Sequence, residues 1–469
     1  MAGSTVSRAA ASVARNVADR AARLWRSDDR WLVLLVVAYL VARVVVLANA
    51  TIFTSFDTAS YSPRADAALN HGPVLSFTGH APRLWGAPLF YALFPDDWWR
   101  AAGQWALGTV AWATLAGVVW TLCRRTPAKI VGAAAVLLLA LLQIVGSLDF
   151  TILSESLTVS LGVLVFALLV RWLATGSRRA LVGMSVAAFW WTFTRPDIRV
   201  FTVIVIVVLA ACAWRAPVRR VAALVAAGSL AVAAGWCTAI GPVAAASFAQ
   251  WGALHTNQTE ELFLVRLRVD VFGRPYVREV FTGRLGMPPC PGADRVAANA
   301  DWALLEFSDE YHRCPELERW GEQNMDDVFR RFALTAPAQY VRLTYEQVGE
   351  ALARGSYDNV PPILPQAVTR AAVPGHRWAV PWGYGLLALA IAGAVAAGAY
   401  RARRVAAWSA TLLAAACTVS VVAVASAAGA QYWRYGVQEM LGLRIALIML
   451  AALVLDRVLE RRAGAGASV

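Results

Sequence analysis

The sequence has few charged residues, few histidines and almost no lysine. Charged residues make up 16% of the 469 residues, there are 5 histidines, and Lys129 is the only lysine. The metalloprotease motif His-Glu-x-x-His, the hydrolase motif Gly-x-Ser-x-Gly and the glycine-rich phosphate loop of nucleotide hydrolases are all missing. The sequence therefore gives no support to a metalloprotease, a serine hydrolase or a nucleoside triphosphatase.

Long apolar segments are what the sequence has in excess. Hydrophobic residues make up 59% of the chain and the mean hydropathy is +0.53, whereas a soluble domain is about 45–50% apolar. A helix needs about 20 apolar residues to cross the hydrocarbon core of a membrane. Ten segments come near that length: residues 31–50, 99–122, 129–148, 156–174, 180–194, 200–214, 219–247, 381–400, 405–428 and 437–456. The sequence predicts an all-α polytopic membrane protein with about ten transmembrane helices.

Arginines indicate the orientation, because positive residues are retained on the cytoplasmic side. They concentrate before the first segment, in alternate loops and after the last segment, so both termini are predicted to be cytoplasmic. The net charge of +13 follows largely from these arginines and predicts contact with membrane lipids, not with nucleic acid. The predicted order is a basic N-terminal segment (1–30), a seven-span module (31–247) with an outer loop (51–98), an extracytoplasmic loop domain (248–380), three further spans (381–456) and a cytoplasmic tail (457–469).

The extracytoplasmic loop domain is predicted to be helical. Its apolar residues alternate with arginines in a helical pattern, and prolines mark the turns between segments. Cys290 and Cys314 are its only cysteines. Because disulfides persist outside the cytoplasm, we predict that these two cysteines are bonded to each other.

Four groups of polar residues are predicted to lie on the same, outer side of the membrane. They are Asp57 with Tyr61, His80 and Arg83; Asp149 with Glu155; Arg195 with Asp197 and Arg199; and Arg434 with Tyr435. Polar residues at the membrane are costly and often functional. Each group also has a simpler explanation: Asp57 or Glu155 capping a helix, Glu155 pairing with Arg195, or Arg434 resting at the interface. Taken together, they predict an outward-facing pocket.

Carboxylates and arginines suit one kind of chemistry in such a pocket. The planar guanidinium group of arginine donates two hydrogen bonds to one phosphate. A neighbouring carboxylate can remove a proton from a hydroxyl nucleophile. These residue types predict a substrate that carries a phosphate and is held in the membrane by a lipid chain.

Short segments of the chain resemble the membrane-embedded glycosyltransferases of the GT-C superfamily. The likeness rests on Asp57 shortly after the first span, on residues 83–93, on Leu-Ser-Glu-Ser-Leu at 153–157, on Thr194-Arg195-Pro196 and on Arg434-Tyr435. It covers most of the chain in topology but only these stretches in sequence. The resemblance implies a GT-C-like fold in the bacterial plasma membrane, with the active site on the extracytoplasmic side.

The same resemblance implies a reaction and assigns roles to residues. The donor would be a polyprenyl-phosphate sugar, mannose or arabinofuranose, and the acceptor a cell-envelope glycan, lipid or protein, with inversion at the anomeric carbon. Asp57 would be the catalytic base, with Glu155 as the second catalytic candidate. The substrate-binding candidates are Arg195, Arg434, Tyr435, Arg83, Arg199, Tyr61 and His80.

One feature departs from the pattern of these glycosyltransferases. Many of them carry a second acidic residue beside the first, whereas Thr58 and Ala59 follow Asp57 here. The sequence establishes no cofactor and no metal-ligand motif, and this departure leaves the participation of a divalent metal ion open.

Three other classes of function remain as alternatives. A scaffold or receptor whose outer loop binds a partner would leave the polar residues on the outer side unexplained. A glycan transferase resembling O-antigen ligase would also have many spans, one large outer loop and outer arginines. A non-enzymatic transporter of lipids or glycans would be expected to show internal repeats and mid-membrane polar residues in several spans. We find no repeat in the sequence.

Overall fold

The computed structural model of the protein describes residues 28–55, 58–61, 76–78, 82–215, 220–251, 258–299, 304–353, 355, 357, 359–427 and 432–465. Within these ranges the chain is helical apart from one small hairpin and connecting segments. In the hairpin β1 (Ser76–Thr78) pairs antiparallel with β2 (Pro82–Leu84), so that Phe77 lies opposite Arg83. The predicted all-α class therefore describes the fold, with this hairpin in the first outer loop as an addition.

The helices of the membrane part follow the predicted apolar segments closely. Before the large loop they are α1 (Asp29–Asn49), α2 (Thr58–Tyr61), α3 (Gly86–Ala92), α4 (Asp97–Leu122), α5 (Thr126–Ala140), α6 (Gln143–Asp149), α7 (Ser154–Thr175), α8 (Arg178–Thr192), α9 (Arg199–Arg215) and α10 (Arg220–Trp251).

The large loop and the C-terminal part are helical as well. The loop contains α11 (Gln258–Arg266), a π-helical turn (Leu267–Phe272), α12 (Pro275–Gly283), α13 (Pro291–Asn299), α14 (Leu304–His312), α15 (Pro315–Asn324), α16 (Val328–Thr335), α17 (Pro337–Ala351) and α18 (Gln366–Ala372). After it come α19 (His376–Ala396), α20 (Ala399–Ala402), α21 (Arg404–Ala427), α22 (Tyr432–Tyr435) and α23 (Val437–Ala465).

Five of the described helices are long and apolar enough to cross a membrane, namely α1, α4, α7, α19 and α21. Helices α5 and α6 meet the same test together but are bent by 53° at their junction, and as one broken span they would be a sixth. Shorter apolar stretches occupy Arg199–Trp214 and Arg220–Trp236. The helices thus have the character of a membrane protein, and the number of ten spans stays a prediction.

Packing among these helices leaves an apolar outer surface. Helix α4 packs against α5 and α7, α7 against α8, and α23 against α5, α19 and α21. Trp112 and Trp172 are almost completely buried in this core, whereas Val41, Val110 and Val186 are each more than half exposed on helix faces. Exposed valines on long helices are what a surface in contact with lipid tails requires.

The loop domain has an apolar core of its own. Leu267, Phe281, Phe307 and Phe332 are fully buried there. Helix α17 takes part in this core and also packs against α19, α21 and α22. Helix α17 is therefore the physical connection between the loop domain and the membrane helices.

A disulfide joins Cys290 to Cys314 across this domain, with 6.1 Å between the two Cα atoms. Closing a loop of this length stabilises a fold by about 2–4 kcal/mol.

We expect the double variant Cys290→Ser, Cys314→Ser to lower the free energy of unfolding of the loop domain by that amount. The measurement is the rate at which a protease cleaves within residues 258–351. Cys212→Ser, which changes a cysteine outside the disulfide, is the control. Recovery of both cysteines as free thiols from protein kept under oxidising conditions would contradict the disulfide.

Candidate active site

The candidate site is built around the carboxylate of Glu155. This residue lies in the first turn of α7, where the helix dipole favours a negative charge. Its Oε1 atom accepts hydrogen bonds from Arg195 Nη1 at 3.2 Å and from Arg434 Nε at 2.5 Å. All three residues are less than 10% exposed. One carboxylate oxygen thus joins two arginines that are 239 positions apart in the chain (434 − 195).

Arg195 is held by the turn that follows α8. Pro196 starts a short 3₁₀ turn (Pro196–Ile198), and Arg195 precedes it with an extended backbone. Its Nε atom donates to Asp197 Oδ1 at 3.0 Å. The guanidinium groups of Arg195 and Arg434 lie 5.0 and 5.5 Å from the centre of the Tyr435 ring, a distance at which the ring attracts a cation.

The second oxygen of Glu155 is available for a further interaction. Among the described residues, Glu155 Oε2 is buried and has no hydrogen-bond partner. A buried charged acceptor without a donor is costly, by about 1–3 kcal/mol or more. Such an oxygen is able to accept a proton or a hydrogen bond from a hydroxyl group that enters the cluster.

The beginning of the first outer loop runs alongside the segment that leads to Glu155. Phe53 N donates to Phe150 O at 2.8 Å, and Thr58 Oγ1 donates to Ile152 O at 3.0 Å. Tyr61 Oη accepts from Ser154 Oγ at 3.2 Å. The described residues on both sides of positions 56 and 57 are therefore tied to the N-terminal end of α7.

Helix α3 contacts both the segment before α7 and the end of α8. Tyr91 Oη donates to Leu153 O at 2.5 Å, immediately before α7. At the other end of α3, Gly86 N donates to Phe193 O at 3.0 Å, and a Cβ atom at position 86 would lie 2.6 Å from that oxygen. A glycine is needed for this close approach, so the Arg83–Leu93 segment packs onto the turn that carries Arg195.

The structure brings several of the predicted site residues together. Glu155, Arg195, Arg434 and Tyr435 form one cluster, and Tyr61 lies beside it through its bond to Ser154. Arg199 is partly buried at the first residue of α9. Arg83 is described only as a residue of β2, and Asp57 and His80 lie outside the described residues.

Asp149 was grouped with Glu155 from the sequence, but its partner in the structure is Arg43 of α1. Its Oδ2 atom pairs with Arg43 Nη2 at 2.6 Å, and its Oδ1 atom accepts from Ser156 Oγ at 2.6 Å. Arg43 also donates to Thr109 Oγ1 at 3.0 Å. Both oxygens of Asp149 are thus bonded within the helix bundle, to groups other than those that bind Glu155.

Arg43 is the residue that the sequence analysis missed. A single arginine in the middle of an apolar segment is a signal for a buried partner. Its partner could not be identified from sequence, since several other predicted segments contain or adjoin carboxylates. The pair is 1% and 3% exposed, so it joins α1 to the end of α6 in the interior.

An apolar groove lies between α7, α8, α9, α21 and α23. It is partly open, and its lining includes Gly162, Phe166, Trp191, Val205, Leu412 and Gln438. Among the described residues, the side-chain amide of Gln438 and Trp191 Nε1 have no hydrogen-bond partner. The cluster residues are not part of this lining, but Val159 lines the groove and follows Glu155 by four residues, about one turn along α7.

No protein-family model, no curated protein and no solved structure matches the chain. Within the part of the chain that the structure describes, no three His, Cys, Asp or Glu side chains are close enough to hold a metal ion. A function has to be argued from the Glu155 cluster and the groove beside it.

The Arg43–Asp149 pair gives a prediction about stability. Removing one partner of a buried ion pair costs about 3–5 kcal/mol, because the other charge stays buried. We expect Asp149→Leu to lower the thermal unfolding temperature in detergent strongly, and the double variant Arg43→Met, Asp149→Leu to restore most of it. Asp97→Leu, which breaks the partly exposed Arg100–Asp97 pair, should cost below about 1 kcal/mol. Equal losses from Asp149→Leu and Asp97→Leu would show that the buried pair is not structural.

Proposed function

We propose that the protein is a membrane glycosyltransferase that transfers a sugar from a polyprenyl-phosphate donor to a cell-envelope acceptor on the extracytoplasmic side. The observation that carries the proposal is the sharing of one buried carboxylate, Glu155, by Arg195 and Arg434. Arginine pairs of this kind bind phosphate, and a carboxylate between them can handle a proton.

The two arginines are proposed to hold the donor phosphate. Each guanidinium group has five N–H donors, and the bonds from Arg195 to Glu155 and Asp197 use two of its own. The Tyr435 ring lies against both groups and restricts their motion. Arg199 and Arg83 are the reserve candidates for this role, with Tyr61 and His80 as proposed contacts to the sugar.

The groove supports a lipid-linked substrate in preference to a soluble one. Its lining is almost entirely apolar, and on α7 it begins at Val159, about one helical turn after Glu155. A hydrocarbon chain buried there gains roughly 0.8 kcal/mol for each methylene group removed from water. A soluble sugar phosphate would gain nothing from such a surface.

The base of the proposed reaction is Asp57, and Glu155 is the alternative. The base removes the proton of the acceptor hydroxyl as that oxygen attacks the anomeric carbon, and the bond to the phosphate oxygen breaks with inversion. Thr58 and Tyr61, which follow Asp57 in the sequence, are bonded to Ile152 and Ser154 at the start of α7, and this supports Asp57 as the proposed base. The buried Glu155 Oε2 supports the alternative.

The phosphate-binding role is tested with Arg195→Lys and Arg434→Lys. Lysine keeps the charge but loses the two-pronged bonds, so we expect each variant to lose turnover about 10- to 100-fold. The measurement is the release of polyprenyl phosphate in proteoliposomes supplied with polyprenyl-phosphate mannose or arabinofuranose and simple acceptor glycosides. Arg342→Lys, which alters an exposed arginine of the loop domain, should retain wild-type turnover.

Two results would overturn this proposal. Wild-type turnover in both lysine variants would place the phosphate elsewhere. Binding and movement of the donor across the membrane without any transfer would show a transporter.

The base is identified by comparing Asp57→Asn with Glu155→Gln in the same assay. A positioned base contributes about 10²–10⁴-fold in rate, so we expect Asp57→Asn to lose that much activity. The matched control is Asp96→Asn, because Asp96 caps α4 by accepting from Trp99 N and Asn keeps most of the capping ability. Normal turnover of Asp57→Asn combined with a large loss in Glu155→Gln would assign the base to Glu155.

A further inference from the structure

Arg434 belongs to a helix that cannot hold its own position. Helix α22 has four residues, Tyr432 to Tyr435, and a single turn is unstable in isolation because nucleating a helix is unfavourable. Its placement must come from contacts with the rest of the protein. Among the described helices, α22 packs against α21, against α23 and, most extensively, against α17 of the loop domain.

Tyr432 makes the first of these contacts. It is 3% exposed, its Oη atom donates to Asp270 Oδ1 at 3.1 Å, and the same atom accepts from Gln347 Nε2 at 2.9 Å. Burial and the nearby Asp270 carboxylate raise the pKa of Tyr432 well above its usual value. The phenol therefore keeps its proton and remains a donor at neutral pH.

Asp270 is itself fixed within the loop domain. It is completely buried in the π-helical turn, and Arg274 Nη1 donates to its Oδ1 atom at 3.0 Å. Arg274 also donates to Glu350 of α17 at 3.0 Å. A π-helical turn inside a helical segment is frequently found at functional sites. Asp270 thus connects α22 to a network that spans the loop domain.

Gly436 makes the second contact, directly after α22. A Cβ atom at this position would lie 2.5 Å from Ala351 O and 2.6 Å from Ala351 Cβ. The end of α17 therefore rests against the backbone of residue 436. Helix α22 is held by α17 through a side chain at one end and through its backbone at the other.

We propose that Asp270, Tyr432 and Gln347 form a clamp through which the loop domain positions Arg434 against Glu155. The role given to Arg434 rests on the proposed function, whereas the clamp itself rests on the contacts above. Asp270, Tyr432 and Gln347 are positioning residues, since they act on the substrate through Arg434. The loop domain then contributes to the phosphate-binding site through the position of Arg434.

The test is a double-mutant cycle on phosphate binding. The probe is undecaprenyl monophosphate, titrated in phosphatidylcholine nanodiscs and followed by native mass spectrometry. We expect Tyr432→Phe to weaken binding about tenfold, the order of one lost bond to a charged group. In an Arg434→Lys background the same change should weaken binding less than twofold, because the group that the clamp positions is no longer there.

The matched control is Tyr276→Phe. Tyr276 Oη also donates to a carboxylate of the loop domain, Glu346 Oε2, at 2.9 Å, but it is not bonded to α22. Wild-type affinity is expected for this variant. If Tyr432→Phe yields no folded protein, Gln347→Leu removes the other bond to the phenol and is expected to weaken binding in the same direction. Equal losses from Tyr432→Phe in both backgrounds would overturn the clamp.

A second readout separates the clamp from the proposed function. The amide of Gly436 is bonded to Tyr432 O and that of Met440 to Gly436 O, so release of the clamp should speed hydrogen exchange in peptides covering 432–440. We expect this in Tyr432→Phe and not in Tyr276→Phe. If the wild-type protein binds no undecaprenyl phosphate, the proposed function fails, and this exchange experiment alone decides whether the clamp exists. Unchanged exchange in Tyr432→Phe would overturn it.

Discussion

A charge buried among membrane helices has to be balanced by a partner, and this constraint organises the structure. Burying an unpaired ion costs several kcal/mol even after the protein relaxes. Arg43 meets Asp149, Arg403 meets Asp456, and Glu155 meets two arginines. Each of these contacts joins segments that are distant in sequence, such as α1 to α6 and the residue between α20 and α21 to α23. Hydrophobic contacts are non-directional and alone would allow several arrangements of the apolar helices. The ion pairs therefore determine which of these helices become neighbours.

The three buried networks differ in how completely their carboxylate oxygens are hydrogen-bonded. Asp149 receives bonds at both oxygens, and Asp456 accepts from the backbone N–H groups of Arg124 and Arg125 as well as from Arg403. Glu155 uses one oxygen for two arginines, and among the described residues its other oxygen has no partner. A saturated network stabilises the bundle, whereas an incompletely satisfied one keeps bonding capacity for a substrate.

Helix positions could be predicted well from the sequence, and partners could not. Residues 31–50 and 99–122 were predicted as spans, and helices occupy Asp29–Asn49 and Asp97–Leu122, because apolar length is a local property. The predicted span 129–148 is instead two helices with a bend of 53°, since hydropathy is continuous across the break. The grouping of Glu155 with Arg195 and Arg434 was predicted from their common side of the membrane. The Tyr432–Asp270 contact was not, because it joins residues 162 positions apart and neither residue type marks its partner.

The sharing of Glu155 by both arginines has a consequence for the balance of charge in the proposed reaction. The donor is a phosphodiester with one negative charge, and the departing polyprenyl phosphate carries about two. Before the reaction, Glu155 and Asp197 already balance Arg195 and Arg434. If the acceptor's proton passes to Glu155, this carboxylate becomes neutral. The two guanidinium groups are then available to the phosphate as it gains its second negative charge. With Asp57 as the base, Glu155 stays ionised and competes with the leaving group for the same guanidinium groups. Within the proposed reaction, this competition is the physical argument for Glu155 as the alternative base to Asp57.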